Sequence, residues 1–333
     1  MEAIRDAEID VILWIQSWRG LLEPPMDVVT DLGSQRVFLV LIPLLFWAVD
    51  TALGARLALL LMGSASLNGV VKLAFHGARP YWYSGAVAQL TGASTFGLPS
   101  AHAQNSLVVW GYLAARSTRR WAWPAAGTLI TLIAFSRMVL GVHFLSDVLA
   151  GLAVGAVLLW LMLRYEAAVL RWWQSFSVAT QIGAALGISL LPAAVAAGMR
   201  LVRGDWTAPE GWTGSVPPDP VYNSLAQMLG MGCGLFGIIA GASVLAARGW
   251  YSAAGPLLSR VARCGIGIIG LVLISVLLEA AFRVVDGAAD TAVESGGYLL
   301  LALWAALGAP ELFLRMGLAE RPRAEESDSP VGG

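Results

Sequence analysis

Residues 136–164 have the sequence SRMVLGVHFLSDVLAGLAVGAVLLWLMLR, in which a polar motif leads into a long apolar run. From Phe144 to Leu163 the one ionisable side chain is that of Asp147. About 20 apolar residues in a helix are enough to cross the ~30 Å hydrocarbon core of a bilayer. The stretch therefore predicts a transmembrane helix that carries charged groups at its beginning.

The composition of the whole chain points the same way. Charged residues make up 13% of the 333 residues, hydrophobic residues make up 57%, and the mean hydropathy is +0.70. Because a soluble chain carries about 25% charged residues, we predict a polytopic membrane protein. The net charge of −1 gives no indication of nucleic-acid binding. The two cysteines, Cys233 and Cys264, are predicted to be small core residues and not metal ligands.

Apolar runs of suitable length predict an all-α fold, a polytopic membrane helix bundle of about nine transmembrane helices. The predicted spans are residues 36–50 (short, and open to extension backwards), 54–75, 101–116, 122–140, 144–164, 176–199, 222–247, 261–282 and 292–316. A shorter segment at 8–22 has acidic flanks, and we interpret it as an interfacial amphipathic helix.

We divide the chain into three parts. Residues 1–172 form the predicted motif-bearing membrane core, and 173–319 are additional transmembrane helices of unknown role. Residues 320–333 are polar and acidic, which is typical of a disordered tail. The additional helices carry no second active site that we can recognise, so packing or dimerisation into a homo-oligomer is their expected use.

The distribution of basic residues predicts an orientation in the cell membrane. With nine spans, twelve Lys and Arg residues fall on one side and nine on the other. The positive-inside rule assigns the twelve to the cytoplasm. Lys72, Arg79, His102, Arg137 and His143 then all lie at the extracytoplasmic side, although they come from three separate stretches of chain.

Acidic residues are missing from a long part of this region. Between Asp50 and Asp147 there is no Asp or Glu, whereas the same stretch contains seven Lys and Arg residues. Positive charge without carboxylates, set among apolar helices, predicts that an anion comes from outside the chain.

The third of the three motif stretches contains the strongest chemical pattern. His143 and Asp147 are four residues apart, so on a helix they share a face. A carboxylate that accepts the imidazole Nδ1–H leaves Nε2 as a nucleophilic lone pair. Arg137, six residues earlier, offers a planar fork that matches phosphate oxygens.

The other two stretches are weaker when taken alone. Pro99 and Ser100 suit the beginning of a helix, where free N–H groups bind anions, and His102 can deliver a proton to a leaving oxygen. Lys72 and Arg79 are seven residues apart near the end of a span, where isolated basic residues are usually interfacial anchors.

Together the three stretches resemble the signature of the phosphatidic-acid-phosphatase type 2 (PAP2) superfamily, K-x6-R-P, P-S-G-H and S-R-x5-H-x3-D. The chain has Lys72, Arg79 and Pro80; then Pro99, Ser100, Ala101 and His102; then Ser136, Arg137, His143 and Asp147. The one departure is Ala101, where the family usually has Gly, and we expect it to tune the pocket without abolishing activity. The resemblance covers roughly residues 25–165, and we expect nothing in 176–333 to belong to it.

The resemblance implies an integral-membrane, metal-independent lipid phosphatase without a cofactor. It assigns catalysis through a phosphohistidine intermediate to His143, His102 and Asp147. It assigns phosphate binding to Lys72, Arg79, Ser100 and Arg137. The implied partners are the membrane and a lipid phosphate or diphosphate such as a polyprenyl diphosphate or phosphatidate; the motifs do not select among such lipids.

Two other functions stay open at this point. A phosphotransferase would use the same histidine but would pass the phosphoryl group to an acceptor hydroxyl instead of water. A lipid transporter with a phosphatase-like half would explain the additional helices, although transport needs no nucleophile.

Overall fold

The computed structural model describes residues 2–212, 214–283 and 288–322, and in these ranges all regular elements are helices. In chain order they are α1 (Glu2–Gln16), α2 (Arg19–Asp31), α3 (Gln35–Ala48), α4 (Thr51–Phe75), α5 (Pro80–Tyr83), α6 (Ala101–Ala115), α7 (Ala122–Val139), α8 (Leu145–Gln174), α9 (Val178–Arg203), α10 (Pro220–Ala247), α11 (Leu257–Phe282), α12 (Ala288–Leu303), a π-helical turn (Trp304–Gly308) and α13 (Ala309–Arg315). Most of the predicted tail, residues 323–333, lies outside the described ranges.

The protein is a multi-pass membrane protein, as predicted. Eight segments of the described residues are long and apolar enough to cross a membrane, and the first of them extends backwards to Arg19. The predicted span at 101–116 corresponds to α6, which has 15 residues. At 1.5 Å per residue α6 is about 22 Å long, shorter than the hydrocarbon core. The predicted fold class is therefore confirmed, and the count of nine spans is approximate.

The chain divides into two compact units, and the first contains every predicted site residue. Unit 1 comprises the residues up to Phe38, Gly63–Val169 and Leu191–Leu229. Within it, α7 packs against α1, α2 and α6. The predicted domain boundary at residue 172 stays a prediction.

Helix α1 buries one face in unit 1. Its Ile9, Ile12 and Ile15 side chains are buried, whereas Trp14 on another face is 68% exposed. At its end, the Gln16 amide donates to the carbonyl oxygens of Ala88 (2.9 Å) and Val139 (3.1 Å) and accepts from Ala88 N–H (3.0 Å). A buried amide with three hydrogen bonds fixes the end of α1 against unit 1.

A second polar contact joins α1 to the beginning of α8. The Glu8 carboxylate accepts hydrogen bonds from Ser146 N–H (2.6 Å) and Ser146 Oγ–H (3.0 Å). The first N–H groups of a helix lack partners within the helix, and a carboxylate is favourable at that end. Glu8 therefore stabilises the helical turn that carries Asp147.

Unit 2 comprises Leu39–Met62, Leu170–Leu190 and the residues from Gly230 onward. The indole of Trp47 is fully buried in this unit, and its N–H donates to the carbonyl oxygen of Ala305 (3.0 Å). Arg263 is also buried, and its guanidinium donates to the carbonyl oxygens of the loop before α11. These contacts satisfy polar groups within an otherwise apolar helical unit.

Helix α8 approaches the beginning of α6 very closely at Gly151. A Cβ atom at this position would lie 2.5 Å from the carbonyl oxygen of Ser100. The glycine is therefore needed for backbone contact between the segment that carries Ser100 and the helix that carries Asp147.

We expect the substitution Gly151→Ala to destabilise the protein by about 1–3 kcal/mol, because the added methyl overpacks a backbone contact. Gly127→Ala in α7 is the matched control, since no atom lies within 4 Å of its would-be Cβ. Thermal unfolding of the purified protein, followed by tryptophan fluorescence, measures both. Equal unfolding temperatures for the two variants would contradict the packing argument.

Candidate active site

The residues of the first motif are buried at the end of α4 and the beginning of α5. Lys72 lies in the last turn of α4, and its ammonium donates to the hydroxyl of Thr95 (2.9 Å). Arg79 immediately precedes α5, and Pro80 begins that helix. Proline suits the first position of a helix because it has no N–H to satisfy there.

The Arg79 guanidinium joins three segments of the chain. It donates to the carbonyl oxygens of Thr95 (2.7 Å), Phe96 (3.1 Å) and Val142 (2.9 Å). Its remaining contacts are with the Thr95 hydroxyl (3.3 Å) and with Nε2 of His143 (3.4 Å). An arginine side chain has five N–H groups, so the protein itself engages all of them.

A glycine allows these segments to approach each other. Gly97 N–H donates to the carbonyl oxygen of Gly77 (2.8 Å), which aligns the segment before α5 with the segment before α6. A Cβ at Gly97 would lie 2.5 Å from the carbonyl oxygen of Ala78 and 3.0 Å from a carboxylate oxygen of Asp147. A larger residue would therefore separate the first and third motifs.

The second motif begins α6. Ser100 is fully buried, and its hydroxyl accepts from Ala103 N–H (3.5 Å) as the N-cap of the helix. Its own N–H donates to the carbonyl oxygen of Asp147 (2.9 Å), which connects the second motif to the third. His102 lies partly buried in the first turn of α6. Ala101, the departure from the family pattern, is the first residue of that helix and is also partly buried.

A buried polar network, which the sequence patterns did not indicate, connects α4 with α6. The Asn68 amide donates to the Gln104 side chain (2.8 Å) and to the carbonyl oxygen of Pro99 (3.3 Å). The Gln104 amide in turn donates to the carbonyl and hydroxyl oxygens of Ser64, both at 2.9 Å. Asn68 lies four residues from Lys72, and Gln104 lies four residues from Ser100. The spacing of these polar residues in apolar helices could have been used to predict that they face the motif residues.

The third motif begins at the end of α7. Arg137 is buried in the last turn, and its Nη1 donates to the hydroxyl of Thr30 in α2 (2.7 Å). Within the described part of the chain, its Nε–H is buried and has no partner. Arg137 therefore keeps donor capacity that Arg79 lacks.

His143 and Asp147 form the predicted pair. Imidazole Nδ1 lies 3.3 Å from Asp147 Oδ2, which also accepts from Phe144 N–H (3.1 Å), and both side chains are almost completely buried. On the other side of the ring, Nε2 faces the Arg79 guanidinium. A guanidinium can only donate, so Nε2 carries a lone pair and Nδ1 carries the proton.

The electrostatic surroundings favour the neutral imidazole. Burial lowers the pKa of His143 well below its usual value, and the charges of Arg79, Arg137, Lys72 and His102 lower it further. A neutral ring retains the lone pair that a nucleophile needs. Basic residues from all three motifs therefore act electrostatically on the His143 imidazole.

The site as a whole has an excess of buried positive charge. Lys72, Arg79 and Arg137 are buried, and Asp147 is the one buried carboxylate among the described residues. Buried charges that are not balanced within the protein favour a bound counterion. The arrangement is suited to a multiply charged oxyanion next to a neutral imidazole.

Family comparisons match the part of the chain that contains these residues. A PAP2 superfamily model matches residues 53–171, the range that contains all seven predicted site residues. The chain belongs to the PAP2 superfamily. A second model, the transmembrane extension of PAP2 superfamily phosphatases, matches residues 229–321. The expectation that nothing in 176–333 belongs to the family is therefore wrong for this range; the extension consists of apolar helices without the polar motifs on which we based the resemblance.

Curated relatives of the PAP2 chain are named as lipid phosphatases. Lipid phosphate phosphatase delta of Arabidopsis thaliana is 29% identical over 173 residues, which cover 46% of this chain and 41% of that protein. Phosphatidylglycerophosphatase B of Bacillus subtilis is 29% identical over 186 residues, covering 52% and 86%. Sphingosine-1-phosphate phosphatase 1 of Rattus norvegicus is 25% identical, covering 37% and 30%. The chain thus spans less than half the length of the plant and rat proteins.

One solved structure is also similar. The crystal structure of a transmembrane PAP2-type phosphatidylglycerolphosphate phosphatase from Bacillus subtilis aligns with a TM-score of 0.41 and 25% sequence identity. The alignment covers 51% of this chain and 89% of that chain.

We expect Arg79→Lys to lower the free energy of unfolding by at least about 2 kcal/mol although it keeps the charge. A lysine has three donors on one atom and leaves buried carbonyl oxygens of Thr95, Phe96 and Val142 without their full set of partners. Arg119→Lys in an exposed loop is the control. Thermal unfolding of both variants provides the measurement, and a stable Arg79→Lys protein would mean that the guanidinium does not hold the segments together.

Proposed function

We propose that this PAP2 protein hydrolyses a phosphomonoester or diphosphate of a lipid through a phosphohistidine intermediate and releases phosphate at the extracytoplasmic face of the cell membrane. The observation that carries the proposal is the His143 imidazole, with Nδ1–H directed at Asp147 and the Nε2 lone pair directed into a group of buried cations.

In the first half of the reaction, Nε2 of His143 attacks the terminal phosphorus, and the bond from this phosphorus to the oxygen that leaves with the lipid breaks. That oxygen belongs to the lipid alcohol in a monoester and to the remaining phosphate in a diphosphate. The imidazole becomes positively charged as the N–P bond forms, and Asp147, which accepts its Nδ1–H, stabilises that charge. His102 is the candidate general acid that protonates the departing lipid oxygen.

In the second half, water attacks the phosphohistidine. His102 has lost its proton in the first half and is then able to act as the general base for this water. The N–P bond breaks, inorganic phosphate leaves, and both histidines return to their starting forms. One water molecule is consumed for each ester or anhydride bond that is broken.

The phosphate-binding residues have different capacities. Among the described residues, Lys72 and Arg137 each make one hydrogen bond, so they retain N–H groups for phosphate oxygens. Ser100 accepts one bond and keeps its hydroxyl proton. Arg79 contributes mainly its positive charge, because four of its five N–H groups already donate to protein oxygens. The fifth faces Nε2 of His143 and is released when that lone pair attacks phosphorus. Such fixed positive groups stabilise the charge that develops on the oxygens during transfer.

A lipid substrate is supported by the membrane fold and by the names of the relatives. Those names refer to lipid phosphates, phosphatidylglycerophosphate and sphingosine 1-phosphate. The oxygens that the site can recognise belong to the phosphate and not to the tail. We therefore propose a substrate class, a lipid phosphate or diphosphate. The individual lipid is to be identified with the panel of substrates described below.

The orientation rests on the positive-inside rule. Twelve basic residues are assigned to the cytoplasmic side and nine to the other side when α6 is counted as crossing. This places the motif ends of the helices at the extracytoplasmic face. The additional helices of 173–319 are proposed to support packing.

We expect His143→Ala to lower phosphate release from a responsive lipid by at least about 1,000-fold, because the nucleophile is removed. The measurement is phosphate release by the purified protein from a panel of lipid phosphates and diphosphates. His76→Ala is the matched control, since the His76 ring packs at a tilted angle against Phe96 and Trp206 and carries none of the proposed chemistry. Turnover by the His143 variant at the wild-type rate would overturn the proposed mechanism.

The same assay separates the alternatives. A phosphotransferase would release little phosphate until an acceptor alcohol is added, and it would then form a new phosphate ester. A transporter would release no phosphate in either case and would move lipid equally well after His143→Ala.

We also expect hydrolysis to persist in the presence of excess EDTA, within about twofold of the untreated rate. The proposal assigns stabilisation of the oxygens to fixed cations, Lys72, Arg79 and Arg137. Phosphate release is measured before and after chelation, and again after magnesium is added back. Loss with EDTA and recovery with magnesium would contradict a metal-independent reaction.

A further inference from the structure

Thr95 lies where the two cations of the first motif meet, although it belongs to none of the three motifs. Its hydroxyl oxygen accepts from the Lys72 ammonium at 2.9 Å and from Nη2 of Arg79 at 3.3 Å. Its carbonyl oxygen accepts from Nε of Arg79 at 2.7 Å. The residue is buried, in the segment that leads into Ser100.

The hydrogen-bonding capacity of the Thr95 hydroxyl determines which of its groups are free to bind a ligand. A threonine hydroxyl has two lone pairs and one proton. Lys72 and Arg79 can only donate, so their hydrogen bonds use the two lone pairs of the hydroxyl oxygen. The hydroxyl proton takes part in neither bond. Among the described residues, this hydroxyl makes no hydrogen bond as a donor, since both bonds at its oxygen come from the cations. A buried donor of this kind is expected to have a partner.

Ser100 shows the same arrangement. Its hydroxyl accepts a hydrogen bond from the protein, at Ala103 N–H, and its proton has no acceptor among the residues described. In the proposed function, that proton is directed to a phosphate oxygen. Thr95 thus has the donor pattern of a phosphate ligand, and the two residues are five positions apart in one segment.

We propose that the Thr95 hydroxyl donates a hydrogen bond to an oxygen of the bound phosphate and is a further substrate-binding residue. The inference rests on the proposed function, because it places the phosphate beside Lys72. Two positive groups on the hydroxyl oxygen polarise its O–H bond, which strengthens donation to an anion. Thr95 would then hold the cations and contact the substrate with the same group.

The first test compares Thr95→Val, which keeps the shape and removes the hydroxyl, with Thr95→Ser, which keeps the hydroxyl. Inorganic phosphate is the probe, and calorimetry on the purified protein measures its binding without any need for turnover. We expect Thr95→Val to weaken binding by about tenfold or more, because a hydrogen bond to a charged group is lost. Thr95→Ser should restore binding to within about threefold. Thr91→Val in the same loop is the matched control.

The second test separates direct contact from positioning of Lys72 and Arg79. Orthovanadate imitates the phosphate in transfer, so a structure of the wild-type protein with vanadate shows the contact itself. A vanadate oxygen within about 3.2 Å of Thr95 Oγ supports the inference. A separation beyond 4 Å overturns it, even if Thr95→Val binds phosphate weakly, and leaves Thr95 as a positioning residue.

Failure of this inference is distinguishable from failure of the proposed function. If the wild-type protein hydrolyses lipid phosphates and Thr95→Val binds phosphate as the wild type does, only the assignment of Thr95 is wrong. If the wild-type protein neither binds inorganic phosphate nor hydrolyses any member of the panel, the proposed function is wrong and the inference is overturned with it.

Discussion

The geometry of the site depends on one guanidinium. Arg79 engages the carbonyl oxygens of three residues from two distant segments and also faces the imidazole of His143. Because the five N–H groups of arginine lie in one plane with fixed directions, they are satisfied together in a single arrangement of their partners. The position of the His143 imidazole relative to the other motifs therefore follows from the planarity of a side chain that belongs to a different motif.

The three cations of the motifs consequently differ in what they can do. A spacing pattern treats Lys72, Arg79 and Arg137 as equivalent, since each supplies one positive charge. The structure distinguishes them by their unused donors: Arg79 is saturated by the protein, whereas Arg137 has a buried Nε–H without a partner among the described residues. Charge and hydrogen bonding are thus divided between side chains that look alike in sequence.

Local spacing explains what the sequence could predict. The helical spans follow from runs of apolar residues. The His143–Asp147 contact also joins residues four apart, although α8 begins at Leu145 and His143 lies two residues before the helix that carries Asp147. Both depend on neighbours along the chain, so periodicity and length are sufficient. The one span that differs, α6, is short because its first turn belongs to the site and a polar, arginine-containing segment follows its end.

Contacts between distant residues explain what could not be predicted. Thr30 is 107 positions away from its partner Arg137, and Thr95 is 23 positions away from Lys72. The sequence around a threonine outside a motif does not indicate such a partner, because only tertiary packing brings the threonine and the cation together. The sequence could have indicated that Asn68 and Gln104 have a structural role, since amides in apolar helices require hydrogen-bond partners. The identity of each partner could not be predicted, because it depends on how the helices pack.

The N-terminal helices have a consequence for how the candidate site could be transferred to another protein. Glu8, Gln16 and Thr30 all lie before residue 53, where the family match begins, yet they hold the beginning of α8, the end of α7 and the Arg137 guanidinium. A chimera that transplants residues 53–171 alone into a foreign scaffold would carry the complete signature and leave these supports behind. The smallest portable form of the site is therefore larger than its signature, because it includes the helices that precede residue 53.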